Sequence, residues 1–268
     1  MSLYERKYLR IADEILYNGD YRNTRNGWVK SIFTQTLHFD MNTNRFPVLT
    51  TRKMNVDSVL GEYAAIIRGP KNIKDFQKWG CNYWNEFGDP DTGDLRIDYG
   101  NLWTDYDGVN QVEELLYNIK INPYDRRLLI DAWKPTNTYK VSLPCCHFLY
   151  QFYVEFNKDN NNWLDLTVYQ RSGDWMVGIP SDMVFAATFL ANIASISNLK
   201  PRRINLIIGD CHIYEEHFEK VKEQTSRMIT ASPHYTLSRQ EEFTDFQPID
   251  LKILDYKHKE FIKYDLKK

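Results

Sequence analysis

The sequence predicts an α+β fold, a mixed β-sheet covered by helices on one face, and three observations carry that reading. Amphipathic helical spacing opens the chain, aromatic and β-branched runs follow it, and strands and helices then alternate without a strict β-α-β rhythm. Of the 268 residues 43% are hydrophobic, enough to bury a substantial core and to exclude a disordered or collagen-like chain. No repeat, low-complexity linker or Pro/Gly/Ser-rich stretch divides the sequence, so one domain over 1–268 is expected.

Tyr4, Tyr8, Ile11 and Ile15 recur at helical spacing before Gly19, and Val56, Leu60, Ala64 and Ile67 do so before Gly69. Between these two helices Phe33, Gln35, Leu37 and Phe39 alternate with Ile32, Thr34, Thr36 and His38, which predicts a strand. Phe148 to Phe156 and Trp163 to Arg171 read as a hairpin joined by the turn-rich stretch 157–162. Met183 to Leu199 is apolar almost all round and is expected to be a buried central helix starting after Pro180-Ser181. Arg203 to Gly209 then predicts a buried strand, and Tyr214 to Arg227 a surface helix. The uncovered sheet face calls for a partner, expected to be a second copy.

Charge narrows the function. Lys and Arg number 34 against 36 Asp and Glu, a net charge of -2 that lacks the basic excess of a nucleic-acid-polymer binder. The amino terminus is charged from its fifth residue, and Thr, Asn and Ser interrupt the most apolar stretch, Met183 to Ile196. That argues against a signal peptide or a membrane partner and predicts a soluble, cytoplasmic protein. Four cysteines, Cys81, Cys145, Cys146 and Cys211, are too few for a disulfide scaffold and suit free thiols in a reducing compartment.

A cysteine beside a proline-fixed turn at a strand entry, as in Leu143-Pro-Cys-Cys-His147, suits an exposed nucleophile, although free cysteine is more often a buried structural thiol. A nucleophilic thiolate needs positive charge close by, and Arg25, Arg126, Arg127 and Arg171 are the candidates. Several forked guanidinium groups on one site would suit a phosphate monoester, while each alone suits a solvated surface equally well.

Taken together, Phe46 to Lys53, Gly61-Glu62, Asp94 to Gly100, Asp125-Arg-Arg127, Leu143 to His147, Tyr150 to Val154, Tyr169 to Asp174, Gly178-Ile-Pro180 and Gly209 to Tyr214 stand in the order seen in the thymidylate synthase family. The chain resembles that family from about Tyr4 to about Tyr256. The resemblance implies a sheet-to-sheet homodimer that adds a one-carbon unit from methylenetetrahydrofolate to carbon 5 of a pyrimidine nucleotide, with no metal. It implies Cys146 as the thiolate that attacks ring carbon 6, with Tyr99 and His147 around it and Glu62 relaying protons. Arg25, Arg171, Ser172 and Gln170 are implied in nucleotide binding, with Arg126 and Arg127 reaching across the dimer interface and Arg22 competing with Arg25. His212 and Tyr214 match the residues that hold the sugar 3'-hydroxyl, while Trp84, Leu143, Asp174 and Gly178 match the folate side.

Two departures bear on the substrate. Where the family continues Gly-x-Pro with Phe-Asn, this chain has Ser181-Asp182. A carboxamide pairs with both the N-H and the carbonyl of uracil, whereas a carboxylate suits the amino group of cytosine. The competing reading makes Asp182 a helix cap after Pro180. Second, the chain ends Asp255 to Lys268 without the family's small apolar close, which predicts a wetter lid and a hydroxymethyl rather than a methyl product. Trp84 is the counterweight. The sequence therefore predicts a deoxycytidylate (dCMP) hydroxymethylase of the kind bacterial viruses use to make modified DNA precursors. A dCMP methyltransferase, a dUMP-using thymidylate synthase and a catalytically silent nucleotide-binding homologue are the alternatives.

Overall fold

A computed structural model of the chain describes residues 2–156 and 162–267. The chain opens on α1 (Leu3–Asn18), whose Ser2 side chain accepts from the Glu5 N–H and whose Tyr8, Ile11, Ala12 and Ile15 are fully buried. Gly19 ends it, as the spacing predicts. The hairpin β1 (Asp20–Thr24) and β2 (Gly27–Asp40) follows, then α2 (Val56–Ile66) and α3 (Ile73–Gln77). A 3-10 turn (Tyr83–Phe87), α4 (Asn101–Thr104), α5 (Gln111–Ile121) and β3 (Leu129–Asp131) lead to the long pair β4 (His147–Phe156) and β5 (Asn162–Asp174). The central helix α6 (Gly178–Ile196) crosses to β6 (Lys200–Tyr214), followed by α7 (Phe218–Thr225) and a small ribbon of β7 (His234–Leu237) and β8 (Leu251–Leu254).

Six strands form one mixed sheet in the order β1-β2-β6-β5-β4-β3, antiparallel except where α6 carries the chain from β5 to its parallel neighbour β6. Helices α1 and α6 pack on this sheet over one apolar core that runs from Tyr4 to Tyr264. Phe33 on β2, 80% exposed, and Tyr153 on β4, 61% exposed, remain uncovered on the strands. By length and composition α6 passes for a membrane span, yet Ile179, Met183, Val184, Phe189 and Leu190 are buried in the fold.

Three expectations need correction. Helix α6 starts at Gly178, not after Ser181, because Asp174 accepts hydrogen bonds from the backbone N–H groups of Met176 and Val177 just ahead of it. Pro180 then lies in the first turn, where its missing N–H costs nothing. Tyr214 belongs to the end of β6, paired with Val29, and the expected surface helix begins only at Phe218 after a 3-10 turn. The strands around Phe33 and Arg203 are also longer than the alternation suggests, since each continues beyond its apolar run by pairing with the other. The predicted hairpin joins β4 to β5 in register, Phe156 facing Asn162; its turn at 157–161 lies outside the described residues.

Candidate active site

Pairing register assembles the site. His147 faces Gln170 across β4 and β5, while Ser172 faces Asp210 and Asp174 faces His212 across β5 and β6. Residues 170, 172 and 174 share one side of a strand by its two-residue period, so polar groups far apart in sequence meet at one end of the sheet.

Cys146 enters β4 half-buried, with its Sγ 3.7 Å from the Arg171 guanidinium and its N–H donated to the Tyr99 hydroxyl. Arg171 also donates to the carbonyls of Cys145 at 2.8 Å and Pro144 at 2.9 Å, which fixes the loop that presents the thiol. Burial pushes the Cys146 thiol up, and Arg171 and Tyr99 pull against it without prevailing, so the unliganded thiol is held in its protonated form. The expected positive charge is present, but desolvation outweighs it. Cys145 is 1% exposed and is the structural thiol of the pair.

Next to Cys146, burial drives His147 down to about 3, so its ring is neutral. Its Nδ1 shares a hydrogen bond with the Tyr150 hydroxyl, and its Nε2 lies 3.8 Å from Asp182 Oδ1, a dipolar contact and not an ion pair at neutral pH. Asp182 stands in the second turn of α6, past the helix start, so it does not cap the helix. Its Oδ2 accepts from Gln170 Nε2 at 2.7 Å, and burial raises its carboxyl to about 7 against that bond. Gln170 also donates to the Ser172 carbonyl at 3.0 Å, while its own Oε1 is buried without a partner.

Glu62 projects from α2, and burial raises it to about 7 as well. Trp84 Nε1 donates to Glu62 Oε1 at 2.7 Å, and the Tyr83 hydroxyl donates to Oε2. Gly61 makes this possible, because a Cβ there would stand 2.2 Å from the Trp79 carbonyl oxygen. Trp84 stacks on Phe76 at 5.0 Å and meets Tyr99 edge-on at 6.0 Å, which links it to Cys146.

At the same end of the sheet, toward β1 and β2, a cavity of about 300 Å³ is lined by Arg22, Arg25, Ser172, Asp210, His212 and Tyr214. Both competing arginines border it: Arg22 is paired to Asp20 at 2.9 Å and lies 4.0 Å from Asp210, while Arg25 Nε donates to Asn26. Asp210 orients His212 through Nδ1 at 2.8 Å and is itself held by Ser31 at 2.9 Å, so the Nε2 edge of His212 is turned from Asp210. Arg126 and Arg127 are not among the residues lining this cavity. They are exposed ahead of β3, with Arg127 bonded twice to Asp125 at 2.9 and 3.0 Å.

On the expected folate side, Asp174 Oδ1 accepts from the Met176 and Val177 N–H groups ahead of α6, and burial raises its carboxyl. At Gly178 a Cβ would meet nothing nearer than Asp182 Oδ2 at 3.6 Å, so this glycine answers to no crowding within the chain. Leu143 is half-buried. The residues present thus offer carboxyl acceptors at Asp174 and Asp182 and a buried aromatic ring at Trp84. Tyr83, Tyr150 and Asp210 are partners that the sequence reading missed. Asp210 was the legible one, since two residues before His212 on a strand means the same face.

Residues 6–267 match the model of the family described as thymidylate synthase. A protein named thymidylate synthase from Mycoplasma pneumoniae is 33% identical, over 96% of this chain and 98% of its own length. Thymidylate synthases of Mycoplasma genitalium, at 32%, and Mycoplasma mobile, at 33%, match over the same shares of both chains.

Proposed function

We propose that this chain, which belongs to the thymidylate synthase family, transfers a one-carbon unit from methylenetetrahydrofolate to carbon 5 of dCMP and releases 5-hydroxymethyl-dCMP. Cys146 adds to ring carbon 6, and Arg171 beside its sulfur favours the thiolate as that bond forms. The cavity bordered by Arg22, Arg25 and Ser172 takes the phosphate and His212 with Tyr214 the sugar hydroxyl. Arg126 and Arg127 of a second copy complete the anion site. Methylenetetrahydrofolate supplies the carbon at the oxidation level of formaldehyde.

The observation that carries the nucleotide assignment is Asp182, a buried carboxyl near neutrality whose Oδ2 is fixed as an acceptor by Gln170. A carboxyl in that state accepts from the cytosine amino group and supplies the proton that ring nitrogen 3 needs when the thiolate adds. Hydroxymethylation draws its support from Ser181, whose hydroxyl turns back to the Val177 carbonyl and leaves no aromatic cover, and from the charged tail of Lys263, Asp265 and Lys267.

A second reading, methylation of dUMP, is favoured by the names of the Mycoplasma relatives and by the buried Trp84 beside Tyr99. One experiment separates the two: incubation with methylenetetrahydrofolate and dCMP or dUMP in parallel, weighing the nucleotide and identifying the released folate. The proposal expects hydroxymethylated dCMP with tetrahydrofolate. Methylated dCMP with dihydrofolate would leave Asp182 in its role and overturn the product, and preferential turnover of dUMP would overturn the nucleotide.

A further inference from the structure

We propose that Tyr83 is a positioning residue for Glu62, a switchable hydroxyl that lets the carboxyl hold its proton at Oε2, with Cys81 taking the tyrosine hydrogen in that state. The inference rests on the reading of Glu62 as a proton-relaying group. Its basis is the unequal chemistry of the two partners. Trp84 Nε1 is a donor in every state, so Oε1, which accepts from it at 2.7 Å, is poorly placed to carry a proton. A tyrosine hydroxyl both donates and accepts. Tyr83 donates to Oε2 while Glu62 is ionised, and the buried Cys81 thiol, two residues back along the chain, is the neighbouring group whose titration is tied to that hydroxyl.

When Glu62 takes up a proton, that proton sits on Oε2 and is donated to the Tyr83 oxygen, while the Tyr83 hydrogen swings to the Cys81 sulfur. The one covalent change is the O–H bond that Glu62 gains with a proton from solvent or substrate; Tyr83 and Cys81 each keep their own hydrogen and change only hydrogen bonds. Cys81 is fully buried, its thiol pushed up by burial and by the charge of Glu62, so it serves as a neutral acceptor. Asp182 on α6 and Tyr150 on β4 are the other titratable groups that feel the Glu62 charge. No charged side chain stands among Glu62's hydrogen-bond partners, so its proton is governed by burial and these two donors.

The switch predicts shifts of opposite sign. Tyr83→Phe removes a donor to the charged form, worth more than the acceptor lost to the neutral form, so Glu62 should titrate about one pH unit higher. Cys81→Ala removes the outlet for the tyrosine hydrogen in the protonated state, so Glu62 should titrate lower. The measurement is the infrared carboxylic-acid band that Glu62→Gln abolishes, followed against pH in an Asp182→Asn background as the difference from the same background carrying Glu62→Gln, so that neither Asp182 nor the raised Asp174 contributes. In the otherwise unaltered enzyme, the limb of the kcat profile that depends on Glu62 should move with the band, and Tyr83→Phe should lower kcat about tenfold at neutral pH with little change in nucleotide KM. Shifts of opposite sign in the two variants support the switch. An unmoved midpoint in Tyr83→Phe, or shifts of the same sign, would overturn it. A wild-type kcat profile without a Glu62 limb would overturn the relay reading of Glu62, and the infrared titration would still decide Tyr83.

Discussion

At the scale of single residues, Asp182 is where burial, hydrogen bonding and specificity meet. The Gln170 amide donates to Oδ2, so an asparagine at 182 would turn its own oxygen to Gln170 and present its amide N–H groups elsewhere. Asp182→Asn is therefore expected to move the ratio of kcat/KM for dCMP over dUMP toward dUMP by about a hundredfold or more. Because the carboxyl titrates near 7, the preference for dCMP in the parent protein should narrow as the pH rises through neutrality and the proton that ring nitrogen 3 requires is lost. Stability moves the same way. A carboxyl raised above its unfolded value binds a proton more tightly in the folded state, so its contribution shrinks as the pH rises from about 4 to about 7. Urea unfolding at both ends of that window should show the parent losing roughly 1–3 kcal/mol relative to Asp182→Asn, and a constant difference between the two would show that Asp182 is not raised.

At the scale of elements, the site depends on α2 running close beneath the chain that follows α3. Gly61 permits that approach, and Gly61→Ala would put a methyl carbon 2.2 Å from the Trp79 carbonyl oxygen. The segment must then lift, carrying Tyr83 and Trp84 away from Glu62. The expected outcome is a loss of about 1–3 kcal/mol in stability, as overpacking costs elsewhere, together with a fall in kcat larger than any change in nucleotide KM. Thermal unfolding and steady-state kinetics on the same sample check it, and an unaltered melting temperature would refute the close approach. The carboxyl-terminal tail is a second element whose behaviour its composition conceals. Despite its charge it is docked: Ile262 is 5% exposed, Tyr264 bonds the Lys220 carbonyl and Gln224 at 3.0 Å, and the Asp265 N–H donates to the buried His217 at 3.2 Å.

At the scale of the whole molecule, the two halves of the proposed anion site lie apart within one chain. Arg22 and Arg25 border the cavity, whereas Arg126 and Arg127 are exposed ahead of β3, and Phe33 and Tyr153 stand uncovered on the sheet. A second copy packed on that face would cover the aromatics and deliver the arginine pair. Mixing a Cys146→Ser chain with an Arg126→Ala, Arg127→Ala chain should then restore about a quarter of wild-type activity, since random pairing makes half the dimers mixed and each mixed dimer has one intact site. Absence of rescue in verified mixed dimers would remove the shared site, and sedimentation as a monomer would remove the dimer.

The sequence by itself determined the helix periods of α1 and α2, the β4-β5 hairpin, the apolar α6 and the ordered motifs that identify the family, because each of these is local or is a matter of residue identity. It also marked Cys146, His212 and Asp182. Tertiary structure alone decided what those residues are. Whether Asp182 caps a helix or faces the site turned on where α6 begins, and that was set by Asp174 four residues before Gly178. Whether Cys146 is ionised turned on burial against one guanidinium, and whether Glu62 is held at one oxygen or two turned on a tyrosine twenty-one residues away. Protonation and hydrogen-bond partnership depend on what surrounds a group in space, and that surrounding is drawn from strands and helices that the sequence lists far apart.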